Sequence, residues 1–317
     1  MMTTLGLTAL ALAAAPAETP KETPDLKPIQ SLWLLTIPHF PGSDEFNSAL
    51  AKKLKVWQAP GVFDGCSLLD YPPTFVGEKD FTTSANALMA EAGGRFIITT
   101  LPVGKEGWES SGNPRLAQKL PGTHYDASKA MTQLQWLETL KDLKADTWGW
   151  VPELTARMPT PDEAGRSAGE FAHFAKGQHK KVVIWLSAEM LTHGRGPEEM
   201  LKAICDATRA DADYFTWMDL EAESLRDGEP RWRESLAQIL DKILALTPKE
   251  KTVIQWINSP RWMAKDVAGT KAYIGVCQAK GINRFGVLAN LAPAYGLLDQ
   301  EPWHEFYRTL PKTGDQQ

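Results

Sequence analysis

Residues 147–187 read TWGWVPELTARMPTPDEAGRSAGEFAHFAKGQHKKVVIWLS and contain one complete unit of the pattern that decides the fold. A short apolar run, Thr147–Val151, is followed by a helical stretch, Asp162–Lys176, and then by a second apolar run, Val182–Leu186. Both runs are rich in β-branched or aromatic residues, as strands are. Pro161 lies where proline is favoured, at the start of a helix. The stretch therefore predicts a strand–helix–strand unit.

The same unit recurs along the chain. Six further strand-like runs are Leu32–Ile37, Val62–Leu68, Phe96–Leu101, Tyr214–Met218, Val253–Ile257 and Phe285–Leu288. Successive runs start 30 to 51 residues apart, which is about the length that a βα unit needs. Eight alternating units imply a mainly parallel sheet and match, in number and size, a single-domain α/β protein of the (β/α)8 TIM barrel type. An open doubly wound sheet is disfavoured because residues 37–42, IPHFPG, lack its glycine-rich phosphate turn.

Helical periodicity fills the intervals between the runs. It is clearest in Trp232–Leu246 and in Ala127–Lys144, and weaker in Glu198–Ala210 and Lys265–Lys280. The Ala127–Lys144 stretch is predicted to bury one face formed by Met131, Leu134, Leu137 and Leu140. The stretch Gly104–Tyr125, between the third and fourth runs, is predicted to be a loop over the barrel mouth.

The N-terminal region has the pattern of an export signal. Leu5–Ala15 is apolar and rich in alanine, and small residues after it fit a cleavage site, although no Lys or Arg precedes it. We expect a signal peptide over residues 1–17, a linker over 18–30 that packs against nothing, the barrel over 31–310, and a tail over 311–317. The protein is then expected to be secreted or periplasmic. A misassigned start or a disordered tail is the alternative.

Composition excludes several classes of protein. With 43% hydrophobic residues the chain is too apolar to be mostly disordered, and its net charge of −5 disfavours nucleic-acid binding. No apolar run is long enough to span a membrane. Cys66, Cys205 and Cys277 form no CxxC pair and are predicted to be buried small hydrophobes. Neither HxH nor HExxH occurs, so we expect no metal and no cofactor.

Polar residues follow the predicted strands at the end where a TIM barrel has its active site. In chain order they are His39, Asp70, Glu153, Glu189, Asp219, Glu221, Asn258 and Asn290. Glu153 is the best placed, because Thr147, Gly149 and Val151 share its face of the strand and are small enough for a barrel interior. A carboxylate that only starts the next helix is the alternative for Glu153, and a solvated acidic loop is the alternative for Asp219.

Tryptophan precedes two of these strand-end residues by two positions. Trp217 comes before Asp219, and Trp256 comes before Asn258, so each pair shares one face of a strand. If the polar residues point into the mouth, the two indoles form an apolar floor for a sugar. The alternative is that both face the helices, because several Trp side chains would crowd a barrel interior. Trp108, in the loop over the mouth, is predicted to form one wall of the cleft.

This layout resembles a secreted (β/α)8-barrel glycoside hydrolase over residues 31–310, at the level of architecture. Glu153 after the fourth strand, Asp219 after the sixth and the Trp-rich strand ends carry the resemblance. It implies hydrolysis of a poly- or oligosaccharide by two carboxylates, Glu153 and Asp219, with Glu189 in reserve. It also implies a substrate-binding set, namely His39, Asp70, Trp108, Trp217, Glu221, Trp256, Asn258 and Asn290. Many such enzymes have the second carboxylate after the seventh strand, where this sequence has Asn258.

Two alternatives follow from the same residues. The missing carboxylate after the seventh strand is compatible with a barrel that binds carbohydrate without cleaving it. Glu153, Glu189 and Asp219 could instead bind a divalent metal through hard oxygen ligands, as in a metal-dependent lyase, isomerase or phosphodiesterase.

Overall fold

Eight parallel strands close into one barrel in the computed structural model, which describes residues 25–36, 44–58, 63–70, 81–100, 132–151, 160–192, 198–218, 220, 231–257, 267–289 and 301–313. The strands are β1 (Ser31–Thr36), β2 (Gly65–Asp70), β3 (Phe96–Thr100), β4 (Thr147–Trp150), β5 (Lys181–Ser187), β6 (Tyr214–Met218), β7 (Thr252–Ile257) and β8 (Arg284–Ala289). Each strand pairs with the next, and β8 pairs with β1 to close the ring. The predicted single-domain (β/α)8 TIM barrel is confirmed.

Helices alternate with the strands. They are α1 (Asp44–Trp57), α2 (Phe81–Ala92), α3 (Gln133–Thr139), α4 (Pro161–Gly177), α5 (Glu189–Thr192), α6 (Glu198–Thr208), α7 (Trp232–Leu246), α8 (Val267–Ala279) and α9 (Glu301–Thr309). The α4 helix begins as predicted, with Pro161 in its first turn and the Thr160 hydroxyl accepting the Glu163 N–H. None of the helices within these ranges is long and apolar enough to cross a membrane.

The buried face of α3 differs from the prediction. Leu134, expected on that face, is 48% exposed, whereas Trp136 is buried. The Trp136 indole N–H donates to the Thr100 hydroxyl at 2.8 Å, so this aromatic side chain turns α3 toward the end of β3. Leu137 and Leu140 are buried as predicted.

Two separate apolar clusters lie on the two sides of the sheet. The larger one fills the space between the strands and the surrounding helices. The smaller one lies inside the barrel and contains Trp33, Leu35, Ile97, Val183 and Trp185. Membership of one cluster or the other therefore tells which way a strand residue faces.

The strand register arranges the inward residues in layers of four. Alternate strands contribute to each layer, as in other TIM barrels. From the N-terminal end upward, the layers are Gly65, Thr147, Tyr214 and Arg284; Trp33, Ile97, Val183 and Val253; Ser67, Gly149, Thr216 and Gly286; then Leu35, Thr99, Trp185 and Gln255. Val151, Met218 and Leu288 lie above them, half-buried, toward the mouth.

Glycine makes room for the two large side chains inside the barrel. A Cβ atom on Gly65 would lie 2.3 Å from the Trp33 ring, and one on Gly149 would lie 3.0 Å from Trp185 Nε1. Because a real Cβ does not approach so closely without displacing its neighbour, each glycine provides the space that the adjacent indole occupies.

The segment before β1 packs against the C-terminal end of the chain. Ile29 is only 1% exposed, its N–H donates to the Pro311 carbonyl, and its carbonyl accepts the Thr313 N–H. The Gln278 side chain pairs with the Lys27 backbone. The expectation that this part of the linker packs against nothing is wrong, because an apolar residue within a polar, proline-rich stretch completes the core. Residues 1–24, including the predicted signal, lie outside the described residues.

All three cysteines are buried, as predicted. Burial raises the pKa of the Cys205 thiol to about 12 and raises the pKa values of Cys66 and Cys277 as well. These thiols stay protonated at neutral pH and pack as small apolar groups.

Candidate active site at the barrel mouth

Most predicted site residues follow the strands in segments outside the described residues. These are His39, Trp108, Glu153, Asp219, Glu221, Asn258 and Asn290, together with the predicted Gly104–Tyr125 loop. Asp70 ends β2 and Glu189 begins α5, so their backbone lies at the C-terminal end of the strands. Trp217 and Trp256 are described in full. The geometry of the mouth therefore comes from the strands that lead into it.

The β4 strand presents its small residues to the barrel interior. Gly149 lies against Trp185 and Thr99, and Thr147 lines the interior below it. Trp148, on the opposite face, stacks with Phe174 of α4 at 6.3 Å between ring centroids. The Val151 N–H donates to the Thr100 carbonyl at 3.0 Å, which extends the pairing one residue past the strand. The alternation predicted for β4 is thus confirmed over Thr147–Trp150, and Val151, two residues before Glu153, contacts both the outer and the inner cluster.

Trp217 and Trp256 face the helices, so the predicted indole floor inside the barrel is wrong. Both are fully buried in the outer cluster. Trp217 Nε1–H donates to the Thr247 hydroxyl at 3.2 Å, and Trp256 Nε1–H donates to the Tyr307 hydroxyl at 3.3 Å. The helix layer offers each indole a hydrogen-bond acceptor and aromatic or aliphatic neighbours.

Trp33 and Trp185 are the indoles that the barrel encloses. Sequence reasoning did not assign either of them to the site. The sequence feature that could have identified them is a glycine on the adjacent strand. Gly65 pairs directly with Trp33, and Gly149 lies beside Trp185. A glycine within an otherwise regular strand marks a close approach of this kind.

The layer formed by Leu35, Thr99, Trp185 and Gln255 contains three buried polar atoms. Thr99 Oγ1, Trp185 Nε1 and Gln255 Oε1 have no hydrogen-bond partner within the part of the chain that the structure describes. The three residues are 3%, 5% and 3% exposed. We call these three side chains the polar layer.

The turn after β5 is fixed to the end of β6. The Ala188 N–H donates to the Met218 carbonyl at 2.9 Å, and Met190 and Leu191 of α5 are buried. Lys242 of α7 donates from Nζ to the Leu191 carbonyl at 2.9 Å. Glu189, the first residue of α5, is therefore carried by a well-anchored segment at the mouth.

The ionisable groups with shifted pKa values in the described ranges lie away from this end. Lys180 precedes β5 and donates to the Leu143 and Ala145 carbonyls, and burial lowers its pKa while Asp146 opposes that shift. Burial also lowers the pKa of Lys312, and the charge of Asp64 opposes that shift. Among the described residues no cluster of His, Cys, Asp and Glu could hold a metal ion.

Comparison with known proteins gives the fold. No family model and no curated protein matches the sequence. The solved spore cortex-lytic enzyme SleL of Bacillus cereus is similar, with a TM-score of 0.53 and 10% identity over 91% of this chain and 76% of that chain. SleL of Bacillus megaterium is similar too, with a TM-score of 0.53 and 9% identity over 92% of this chain and 75% of that chain. A GH18 chitinase from Pseudoalteromonas aurantia has a TM-score of 0.47 and 10% identity over 82% of this chain and 93% of that chain. At this level of identity the similarity shows a shared (β/α)8-barrel fold.

Proposed function

We propose that the protein is a glycoside hydrolase that cleaves a poly- or oligosaccharide at the C-terminal mouth of the barrel. The observation that carries the proposal is the alternation of β4. Thr147 and Gly149 face the interior and Val151 packs partly against the inner cluster, so residue 153 is the next inward position if that alternation continues. Catalytic groups of TIM-barrel enzymes occupy such strand ends. The spore cortex-lytic enzymes of similar fold provide a precedent for lytic activity on this architecture.

Glu153 takes the central role in this proposal, and its partner is Asp219 or Glu189. One carboxyl group protonates the glycosidic oxygen while the other acts as nucleophile or activates water. Since Trp217 faces the helices, the strand alternation no longer supports an inward Asp219. Glu189 becomes the better-supported second carboxylate, because α5 is fixed to β6 and to Lys242. His39, Asp70, Glu221, Asn258 and Asn290 are proposed to bind sugar hydroxyl groups, and Trp108 is proposed to line the cleft.

The test is a hydrolysis screen on mixed polysaccharides and aryl glycosides, run with and without a metal chelator. It includes 2-acetamido sugars, because a substrate group can replace the second carboxylate in substrate-assisted enzymes. Glu153→Gln should abolish most of the activity that the screen finds. Glu199→Gln, which makes the same change at an exposed position of α6, should leave it unchanged. Full activity of Glu153→Gln would contradict the proposal, and loss of activity with the chelator would favour a metal-dependent enzyme.

A carbohydrate-binding barrel without catalysis is the second candidate. The outward orientation of Trp217 and Trp256 favours it, because it removes the argument that brought Asp219 and Asn258 into the mouth. Such a protein would bind polysaccharide equally well as wild type and as Glu153→Gln, and neither form would hydrolyse it.

Export is part of the same proposal. We propose that residues 1–17 are removed and that the mature barrel is secreted or periplasmic. Mass spectrometry of the protein purified from its native host tests this. A mature chain that begins near Ala17 supports export, and a chain that retains residue 1 contradicts it.

A further inference from the structure

The polar layer has hydrogen-bonding capacity that the described residues do not use. Trp185 Nε1 can only donate, the Gln255 side-chain oxygen can only accept, and the Thr99 hydroxyl can do either. All three atoms are buried and without a partner among the described residues. Buried polar atoms in proteins are nearly always hydrogen-bonded, so each of these atoms requires an explanation.

Two of these atoms lie against Gly149. A Cβ atom on Gly149 would lie 3.0 Å from Thr99 Oγ1 and 3.0 Å from Trp185 Nε1. The two atoms are therefore at most about 6 Å apart, a separation that one small group can bridge with two hydrogen bonds of about 2.7–3.2 Å. The third atom, Gln255 Oε1, belongs to the same layer by register.

Packing alone does not account for these residue types. Valine has nearly the shape of threonine, and methionine has nearly the length of glutamine. Neither would leave an unpaired polar atom, and apolar replacements of the same shape are close to neutral or stabilising in such places. Departures from a fully satisfied core are expected at functional or strained sites.

We propose that the polar layer is the deepest substrate-binding subsite, and that it receives a neutral group with both donor and acceptor capacity. A hydroxyl or an amide of a sugar substituent has this chemistry. The layer itself carries no charged side chain, so a carboxylate or a phosphate would not be stabilised there. The inference rests on the proposed function, because it places the subsite beneath the strand end that carries Glu153.

The depth of the layer suits that arrangement. A strand rises about 3.3 Å per residue and tilts by about 36° in a TIM barrel, so an inward residue 153 would lie roughly 8 Å above the layer. One sugar ring with a single substituent spans this length. The half-buried Val151, Met218 and Leu288 would then line the passage between the mouth and the layer.

Indole N–H signals in a ¹⁵N-labelled sample test the proposal directly. The Trp185 signal is identified by its loss in Trp185→Phe. The probes are methyl β-glucoside, methyl N-acetyl-β-glucosaminide, cellotriose and chitotriose, with acetate as a charged control. We expect at least one sugar to shift the Trp185 signal while acetate does not. Trp217 is the internal control, because its N–H already donates to Thr247 outside the barrel.

Kinetics of Thr99→Val give a second measurement. The KM for the best substrate of the hydrolysis screen should rise about 3- to 10-fold, as expected for one lost hydrogen bond, while kcat and the melting temperature change little. Thr208→Val is the matched control, since this buried hydroxyl donates to the Ile204 carbonyl within α6, on the outside of the barrel. Its KM should equal that of wild type.

The outcomes separate this inference from the proposed function. If a probe is hydrolysed or bound while the Trp185 signal stays in place, the subsite is refuted and the function stands. If Thr99→Val keeps the wild-type KM, the subsite is likewise refuted. If no probe moves any indole signal and none is hydrolysed, the subsite and the proposed function fail together.

Discussion

The β4 and β6 strands look alike in sequence and differ in which of their two faces shares the alternation of the carboxylate that follows. Both carry tryptophan, and in both the tryptophan faces the helices. In β4 this leaves Gly149 on the inward face, which Glu153 shares if the alternation continues past the strand. In β6 it leaves Thr216 and Met218 inward, and Trp217 shares its face with the position of Asp219. We infer that the direction of a strand's alternation, and not only the presence of a polar residue after it, favours one carboxylate over the other.

Neighbouring strands set that direction. The indoles that the structure places inside the barrel, Trp33 and Trp185, each lie beside a glycine. Trp217 is flanked in register by Leu186 and Ile254, which also face the helices. An indole therefore points inward where a glycine on the adjacent strand leaves room for it.

The largest expected effect is a difference in kcat between a variant at the end of β4 and a variant at the end of β6. Glu153→Gln should lower kcat by about 10²- to 10⁴-fold, the usual contribution of a general acid or base. Asp219→Asn should cost clearly less, because the β6 alternation does not direct it inward. Steady-state kinetics on one substrate measures both. An equal loss of kcat in the two variants would show that Asp219 belongs to the active site although the alternation of β6 does not direct it inward.

Removing an outward indole tests the same comparison through stability. Trp217→Ala should lower the free energy of unfolding by about 3–5 kcal/mol, because it leaves a large cavity between the barrel and α7. The KM of the folded protein should not change. Trp185→Phe is the counterpart inside the barrel, and it should raise KM at a smaller cost in stability. If Trp217→Ala raised KM instead, its assignment to the helix layer would fail.

Filling the space beside the inward indole should have an intermediate effect. Gly149→Ala places a methyl group 3.0 Å from Trp185 Nε1 and 3.0 Å from Thr99 Oγ1. Denaturant unfolding should show a loss of about 1–3 kcal/mol from overpacking. Gly177→Ala is the control, because nothing lies within 4 Å of its added methyl group. A neutral Gly149→Ala would mean that Trp185 is not held against β4.

The smallest effect concerns the outer cluster at high pH. Burial raises the pKa of Cys205 from 9.0 to about 12 in the folded state. Above the pKa of the unfolded chain the unfolded thiol ionises first, so the stability that Cys205 contributes below that pH is lost as the pH rises. The loss is about 1 kcal/mol by pH 10. Cys205→Ala should make the fall in stability with pH less steep, while the buried Cys66 and Cys277 maintain the rest of it. An unchanged profile would contradict the assignment.

Sequence alone was sufficient for the barrel but not for the contents of its interior. The strand–helix alternation and the bounds of Trp232–Leu246 are recovered because periodicity depends on local residue pattern. The inward face of β4 is also recovered, since Gly149 and Val151 differ in size from Trp148 and Trp150. The faces of β6 and β7 are not, because an alternating strand has two faces and the choice depends on neighbours far away in sequence. The burial of Ile29 was not predicted for a related reason, because its contacts lie far away in sequence, near residue 312.

The position of the Glu153 carboxylate in a crystal structure is the most direct test of this account. We predict that it points to the side of the barrel axis with Val151. Its carboxyl carbon should lie within about 5–10 Å of that of Glu189 or Asp219, the range in which two carboxylates hydrolyse a glycosidic bond. A Glu153 side chain turned toward the helices with Trp150, or separated from both partners by more than roughly 12 Å, would contradict it.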